Sequence, residues 1–252
     1  MSAMPTTKAL FGFDVIGSSS NPDDQLEEVR QAATELVGEA FEHTGVDVAA
    51  RVNYSATGDG YLAAFPEESL PALVDAAHFL HGQVYLRNRR MLPTIGLRLA
   101  VHAAPVTVVD GDSFQRPVIE LARLLDAAVV KDVVRRLADR HPVTVATILS
   151  AQAYRTAVLA GHTHRLHPHE FSMLQVADKE FEETAWVWIP GVAAGDLTTA
   201  TATPTADRPA AEPGTPSPAG GSQVINGEVH GTGIIGTNSG SIVYNQLGQH
   251  RP

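Results

Sequence analysis

The apolar and polar positions divide the chain into a long patterned part and a shorter unpatterned one. Ala9 to Val15 is a nearly unbroken apolar run of strand length, closed by Gly17-Ser18-Ser19-Ser20-Asn21-Pro22, a cluster that interrupts regular structure. Leu26, Val29, Ala33, Leu36, Val37 and Ala40 then recur at helical spacing and predict a helix from about Asp23 to Thr44. Asp23, Asp24, Glu27 and Glu28 fall in its first turns, where acids favour the helix dipole, and Gly45 is a natural stop. Two extended runs follow, Ala50 to Ser55 and Tyr61 to Phe65, joined by Thr57-Gly58-Asp59-Gly60 as a hairpin with a Gly-Asp-Gly tip. A second helix is predicted over Leu70 to Asn88, and an extended segment over Thr94 to Val109 with a bend at Ala103-Ala104-Pro105. Val118 to Leu137 reads as helix in one or two pieces, Val143 to Ile148 as a strand and Ser150 to Leu159 as a short helix. Ser172 to Val176 and Thr184 to Ile189 read as a closing strand pair.

This order lacks the regular βαβ period of a doubly wound sheet. It predicts an α+β fold, a ferredoxin-like mixed or antiparallel sheet with helices on one face. The patterning stops near Gly191. Up to about residue 222 the chain is Ala, Thr, Pro, Ser and Gly, a composition that buries too little to offset the entropy of ordering it. Val and Ile return after that, between glycines and asparagines. The expected organisation is a globular domain over 8–191, a flexible linker over 192–222 and a short β-prone motif over 223–247.

The sequence has 252 residues, 44% of them hydrophobic, so one sizeable domain with a tail is affordable. The net charge of −10 argues against a nucleic-acid partner, though not against a local pocket for one nucleotide. The absence of cysteine excludes disulfides, thiolate nucleophiles and cysteine-based zinc sites. No signal-peptide pattern opens the chain and no apolar run reaches the ~18 residues of a membrane helix, so a cytoplasmic protein without a membrane partner is expected.

Two carboxylates stand out. Asp14 ends the first strand before a Gly/Ser loop, and Asp59 sits on the tip of the next hairpin. In a ferredoxin-like sheet these strands are neighbours, so the two can meet as oxygen donors for Mg²⁺ or Mn²⁺ carrying a nucleoside triphosphate. Glycines on both loops let backbone N–H groups approach phosphates. The plainer reading of Gly58-Asp59-Gly60 is a hairpin turn, where Asp and Gly are common in any case.

Phe13-Asp14-Val15-Ile16-Gly17 resembles the first metal-binding segment of class III nucleotide cyclases, and the stretch from Thr57 to Phe65 resembles the second. Ile95 to His102 is similar to the central strand of that family, and Val118 to Ala127 to its transition-state helix. The resemblance extends roughly from Leu10 to Pro190. It is nearest to actinobacterial cyclase-like proteins related to the pyrimidine cyclases of antiphage defence, whose closing strands resemble Lys179-Glu180 and Ala185-Trp186. It implies two metal ions on Asp14 and Asp59 with the Val15 carbonyl, and phosphates against Gly17, Ser18, Ser19 and Gly58. It also implies that Arg123 stabilises the charge developing as the 3′-hydroxyl attacks the α-phosphate. Metals and arginine come from different subunits in that family, so a homodimer is implied. Tyr54, Ser55 and Asp112 fall near the base-reading positions. Ser55 stands where purine cyclases have a lysine, and Ile119, or Glu120 after a one-residue shift, where the family has an asparagine. These departures keep open a second expectation, a catalytically inactive cyclase-fold scaffold or nucleotide sensor.

Two clusters read differently. His162, His164, His167 and His169 have spacings that imidazole metal sites use, but a proline interrupts them and an incidental polar loop is the expectation. Lys131, Arg135, Arg136 and Arg140 read as a solvated basic helix face. The C-terminal QVINGEVHGTGIIGTNSGSIVYNQ has low charge, no proline, β-branched steps and Asn/Gln positions, the signature of in-register cross-β stacking. It resembles the amyloid signalling motifs of bacterial and fungal NLR-type immune proteins and their effectors, which implies a partner bearing a matching motif. A disordered tail, or a strand docked on its own domain, is the alternative.

Overall fold

The computed structural model describes residues 4–18, 22–107, 116–139, 142–178 and 181–201. All belong to one unit, Met1–Asp207. The linker beyond Thr201 and the whole 223–247 motif lie outside the described residues.

The first strand, β1 (Thr6–Val15), is the centre of the fold. Ala9, Leu10, Phe11 and Phe13 are fully buried along it, as a strand covered on both faces requires. It pairs antiparallel with β3 (Tyr61–Pro66) on one side and β4 (Leu97–Val106) on the other. β2 (Asn53–Ala56) completes the hairpin with β3. β5 (Val145–Ser150) runs parallel to β4, and β7 (Phe181–Trp188) and β6 (Ser172–Asp178) close the sheet antiparallel. The order is β2-β3-β1-β4-β5-β7-β6. Its first four strands are the ferredoxin-like core expected from the element order.

The helices α1 (Asp23–Thr44) and α2 (Leu70–Asn88) cover one face, where Phe11, Phe13, Phe41, Phe65, Leu73 and Leu80 share a core. The anticipated stop of α1 holds: Gly45 is left-handed at φ 77° and caps it. α3 (Arg116–Leu125) and α4 (Ala128–Ala138) cover the opposite face through Leu121, Leu124, Val130 and Val133, packed on Leu10, Ala100 and Ile148. The expectation of helices on one face is therefore corrected. The parallel β4–β5 pair needs a crossover, and the described part of that connection is α3 and α4, lying on the second face.

Three local expectations also change. β4 runs unbroken through Ala103, Ala104 and Pro105, all paired with β1. β5 accompanies β4 only as far as Val101, so Pro105 stands where β4 has a neighbour on one side and its missing N–H goes unneeded. The helix expected over Ser150–Leu159 is a short α5 (Ala151–Ala153) that widens into a π turn over Tyr154–Leu159, with Tyr154 stacked on Trp186 at 3.9 Å. Beyond residue 191, where a flexible linker was expected to begin, the chain forms α6 (Ala194–Thr201) and buries Leu197 in the second core. One leucine among small residues is enough to extend the globular part.

Candidate functional site

β1 delivers Asp14 to one end of the sheet, and the β2–β3 hairpin brings Asp59 to the same end. The β1–β3 register runs from Lys8↔Pro66 to Phe13↔Tyr61, and one further step sets Asp14 against Gly60. The contact is between main chains. A Cβ on Gly60 would stand 1.8 Å from the Phe13 carbonyl oxygen and 3.1 Å from the Asp14 Cα, so only glycine permits this seating. Gly58 serves differently: its φ of +87° makes the turn, with open space around it. The Thr57 N–H donates to the Gly60 carbonyl at 3.0 Å and closes the tip. Both glycines of Gly58-Asp59-Gly60 therefore position the aspartate between them.

Asp14 is 16% exposed, and Arg98, its direct neighbour on β4, is 14% exposed. The guanidinium grips the carboxylate with both arms, Nε donating to Oδ1 at 2.9 Å and Nη2 to Oδ2 at 2.5 Å. Burial pushes the Asp14 carboxyl above its ordinary range and the nearby Asp59 charge adds to this; Arg98 and, more weakly, Lys131 of α4 pull the other way. Lys131 is itself paired with Asp126. Val15 buries its side chain in the α1–α2 core, which leaves its carbonyl as the group it can offer.

A cleft of about 550 Å³ opens beside this end. Ser18 from the β1–α1 turn, Thr57, Gly58 and Asp59 from the hairpin, and Leu26, Glu27, Val29 and Arg30 from α1 line it. Gly17, at φ +69°, turns the chain into this wall. Arg30 is held by Glu27 at 2.6 Å. Two carboxylates reached from adjacent strand ends, Asp59 on the cleft wall and Asp14 beside Arg98, are hard oxygen donors of the kind a divalent cation such as Mg²⁺ or Mn²⁺ takes. Among the described residues, no group of three or more His, Asp or Glu is arranged to hold a metal ion. The fit thus rests on the two aspartates with backbone oxygen.

The remaining predicted site residues divide. Ser55 pairs with Leu62 and lies on the Asp14 side of the sheet. Tyr54 alternates to the α1 side, 5.2 Å from the Tyr61 ring and under the Arg51 guanidinium at 4.2 Å, where it packs on the sheet. Arg123 lies over Phe181, 5.8 Å from the ring centroid. The row Asp14–Arg98–Ala146 meets β7 just past Trp188, whereas Phe181 begins that strand. The eight positions from Phe181 to Ile189 at ~3.3 Å each put Arg123 roughly 20 Å or more from the aspartates. Within one chain, then, the structure does not bring Arg123 to them. Ile119 is 42% exposed on the outer side of α3. Ser19, Asp112, Arg140 and the Lys179-Glu180 pair lie outside the described residues.

The histidine cluster is exposed on the loop after the π turn, with His167 and His169 stacked on each other at 5.9 Å. Arg135 pairs with Asp132 at 2.5 Å on the outside of α4. Arg98 and Arg30 are the residues that sequence reading missed, and Lys131, read as part of a solvated helix face, acts weakly on Asp14. Arg98 carried a signal: it interrupts an apolar strand at a position where a charge needs a buried partner.

No protein-family model matches the chain, and no curated protein matches it in sequence. Its structure matches that of an adenylate/guanylate cyclase/hydrolase from Silicibacter pomeroyi, with 19% identity, TM-score 0.50, and coverage of 75% of this chain and 99% of that one. It also matches a bacterial light-regulated adenylyl cyclase at 14% identity and TM-score 0.51, covering 79% of this chain and 57% of that one. The fold is that of the class III nucleotide cyclases. At these identities the likeness is one of fold.

Proposed function

We propose that the chain is a nucleotide cyclase-like protein that works as a homodimer on a nucleoside triphosphate. The 3′-oxygen attacks the α-phosphorus, the bond to the β-phosphate oxygen breaks, and pyrophosphate leaves while the 3′-hydroxyl proton passes to solvent. The observation that carries this reading is the main-chain seating of Gly60 on β1, which brings Asp59, on the cleft wall, and Asp14, on the adjoining strand end, to one end of the sheet. Two divalent ions, Mg²⁺ or Mn²⁺, would be held by Asp14, Asp59 and the Val15 carbonyl, and would neutralise charge on the transferring phosphoryl group. Ser18, Gly17 and Gly58 hold the phosphates, and Ser55 and Asp112 are the positions assigned to the base. Arg123 of the second subunit supplies the cation at the pentavalent phosphorus, which accounts for its distance from the aspartates of its own chain. In the same proposal the 223–247 segment recruits a partner bearing a matching amyloid motif, within bacterial defence or stress signalling; the cross-β composition of that segment supports this. With α6 ending at Thr201, a linker of about 20 residues gives it a reach of roughly 25 Å.

A second reading, a non-catalytic dimer or nucleotide sensor with a recruiting tail, is favoured by three features. Ile119 stands where the family carries asparagine, Ser55 where purine cyclases carry lysine, and Arg98 already occupies Asp14. Incubating the full chain with each of the four triphosphates and Mn²⁺, beside Asp59→Ala, separates the two. Cyclic nucleotide formed by the parent and lost in the variant supports the cyclase; none above the variant leaves the scaffold. For the tail, seeded thioflavin binding by a 223–246 peptide is expected, and a peptide that stays soluble and unstructured would count against it.

A further inference from the structure

Arg98 is the one charged group in direct contact with Asp14 among the described residues, and it comes from the strand next door. Its planar fork takes both carboxylate oxygens in a site that is mostly shielded from water. The arrangement has an electrostatic reason. Asp14 and Asp59 are like charges brought to one end of the sheet by a rigid main-chain contact, so they cannot relax apart as two surface side chains would. A fixed cation between the strands offsets that repulsion. The same cation opposes a divalent ion, which needs the same oxygens and would sit beside the guanidinium as a like charge.

We propose that Arg98 is an internal counter-cation of the aspartate pair, which a divalent metal must displace from the Asp14 carboxylate, so that Arg98 sets the metal affinity of the site. This rests on the reading of Asp14 and Asp59 as metal donors, and deepens it by giving the site a built-in threshold. At low metal the fork holds Asp14 and keeps β1 and β4 in register at their ends. At higher metal the ion takes the carboxylate and the arginine releases it. Arg98 acts on the reaction through Asp14, as a positioning residue.

The test is Mn²⁺ binding to the full chain without nucleotide, read from the electron paramagnetic resonance signal of free Mn²⁺, for the parent, Arg98→Met and Arg98→Lys. Arg98→Met is expected to bind Mn²⁺ at least tenfold tighter than the parent. Its melting temperature without metal is expected to be lower, and Mn²⁺ should raise it more than it raises that of the parent. Arg98→Lys keeps a charge without the fork and should fall between, which retains a readout if the methionine variant fails to fold. Equal affinity in parent and variants, within twofold, overturns the counter-cation while leaving the aspartates as metal donors. Binding that is equally undetectable in all three, and equally unchanged by Asp59→Ala, overturns both the counter-cation and the metal site.

Discussion

At the scale of single residues, the two glycines of the hairpin tip act by different physics, and their alanine variants should differ. Gly58→Ala adds only the strain of a left-handed backbone, about 1–2 kcal/mol, because nothing stands near its Cβ. Gly60→Ala drives a methyl into the Phe13 carbonyl and must push the hairpin off β1, at a cost of about 2–3 kcal/mol or more. Urea unfolding of both variants measures the difference; equal losses would mean that the close contact is relieved cheaply. The meeting of Asp14 and Asp59 at one end of the sheet was legible in the sequence, because one closes a strand before small residues and the other sits on a Gly-Asp-Gly hairpin tip. Arg98 was not, since the ion pair depends on a strand register that joins positions 84 apart. Tyr54 and Ser55 fall on opposite faces by period-2 alternation, and which face each takes follows only from pairing with β3.

At the scale of elements, the packing of α3 on β4 contains a group that titrates. His102 is buried, neither ring nitrogen has a hydrogen-bond partner among the described residues, and its Nε2 lies 3.5 Å from Glu120 Oε2 on α3. Burial lowers its pKa, against the opposing pull of Glu120 and of Glu183 on β7. A lowered imidazole means that the unfolded chain takes up a proton first. Stability is then full above the ordinary value of 6.5 and is lost as pH falls through it toward the folded value. Melting curves from about pH 8 to about pH 5.5 should show this fall, and His102→Leu should flatten it. A further prediction concerns α6. Leu197 is fully buried, so Leu197→Ala should cost about 2–4 kcal/mol, and a chain ending at 191 should melt below one ending at 201. The long elements were legible: α1 and α2 have the expected bounds, and for α1 an apolar face and a glycine stop leave little choice. α6 was not, because a single leucine makes no pattern. The second helical face was half visible in β1, whose unbroken apolar run already asks for cover on both sides.

At the scale of the whole molecule, the separation of Arg123 from the aspartates yields a complementation test of the proposed homodimer. Asp59→Ala and Arg123→Ala chains, each inactive alone, should regain about a quarter of parental activity when mixed in equal amounts, since half the dimers are mixed and each has one whole site. No recovery from chains shown to exchange would place both groups in one subunit. Residues 202–252 lie outside the described structure, so what the 223–247 segment does is carried by its composition alone. Among the described residues no helix is long and apolar enough to cross a membrane.

The seating of Gly60 on β1 has a consequence for how such a protein can change. The spacing of the two carboxylates is gauged by backbone against backbone, so the side chains packed around it can be exchanged widely without altering the gauge. The vulnerable change is one of count. A residue inserted into or removed from Thr57-Gly58-Asp59-Gly60 would shift the tip along β1 and take Asp59 away from Asp14, even with every other position in the chain intact.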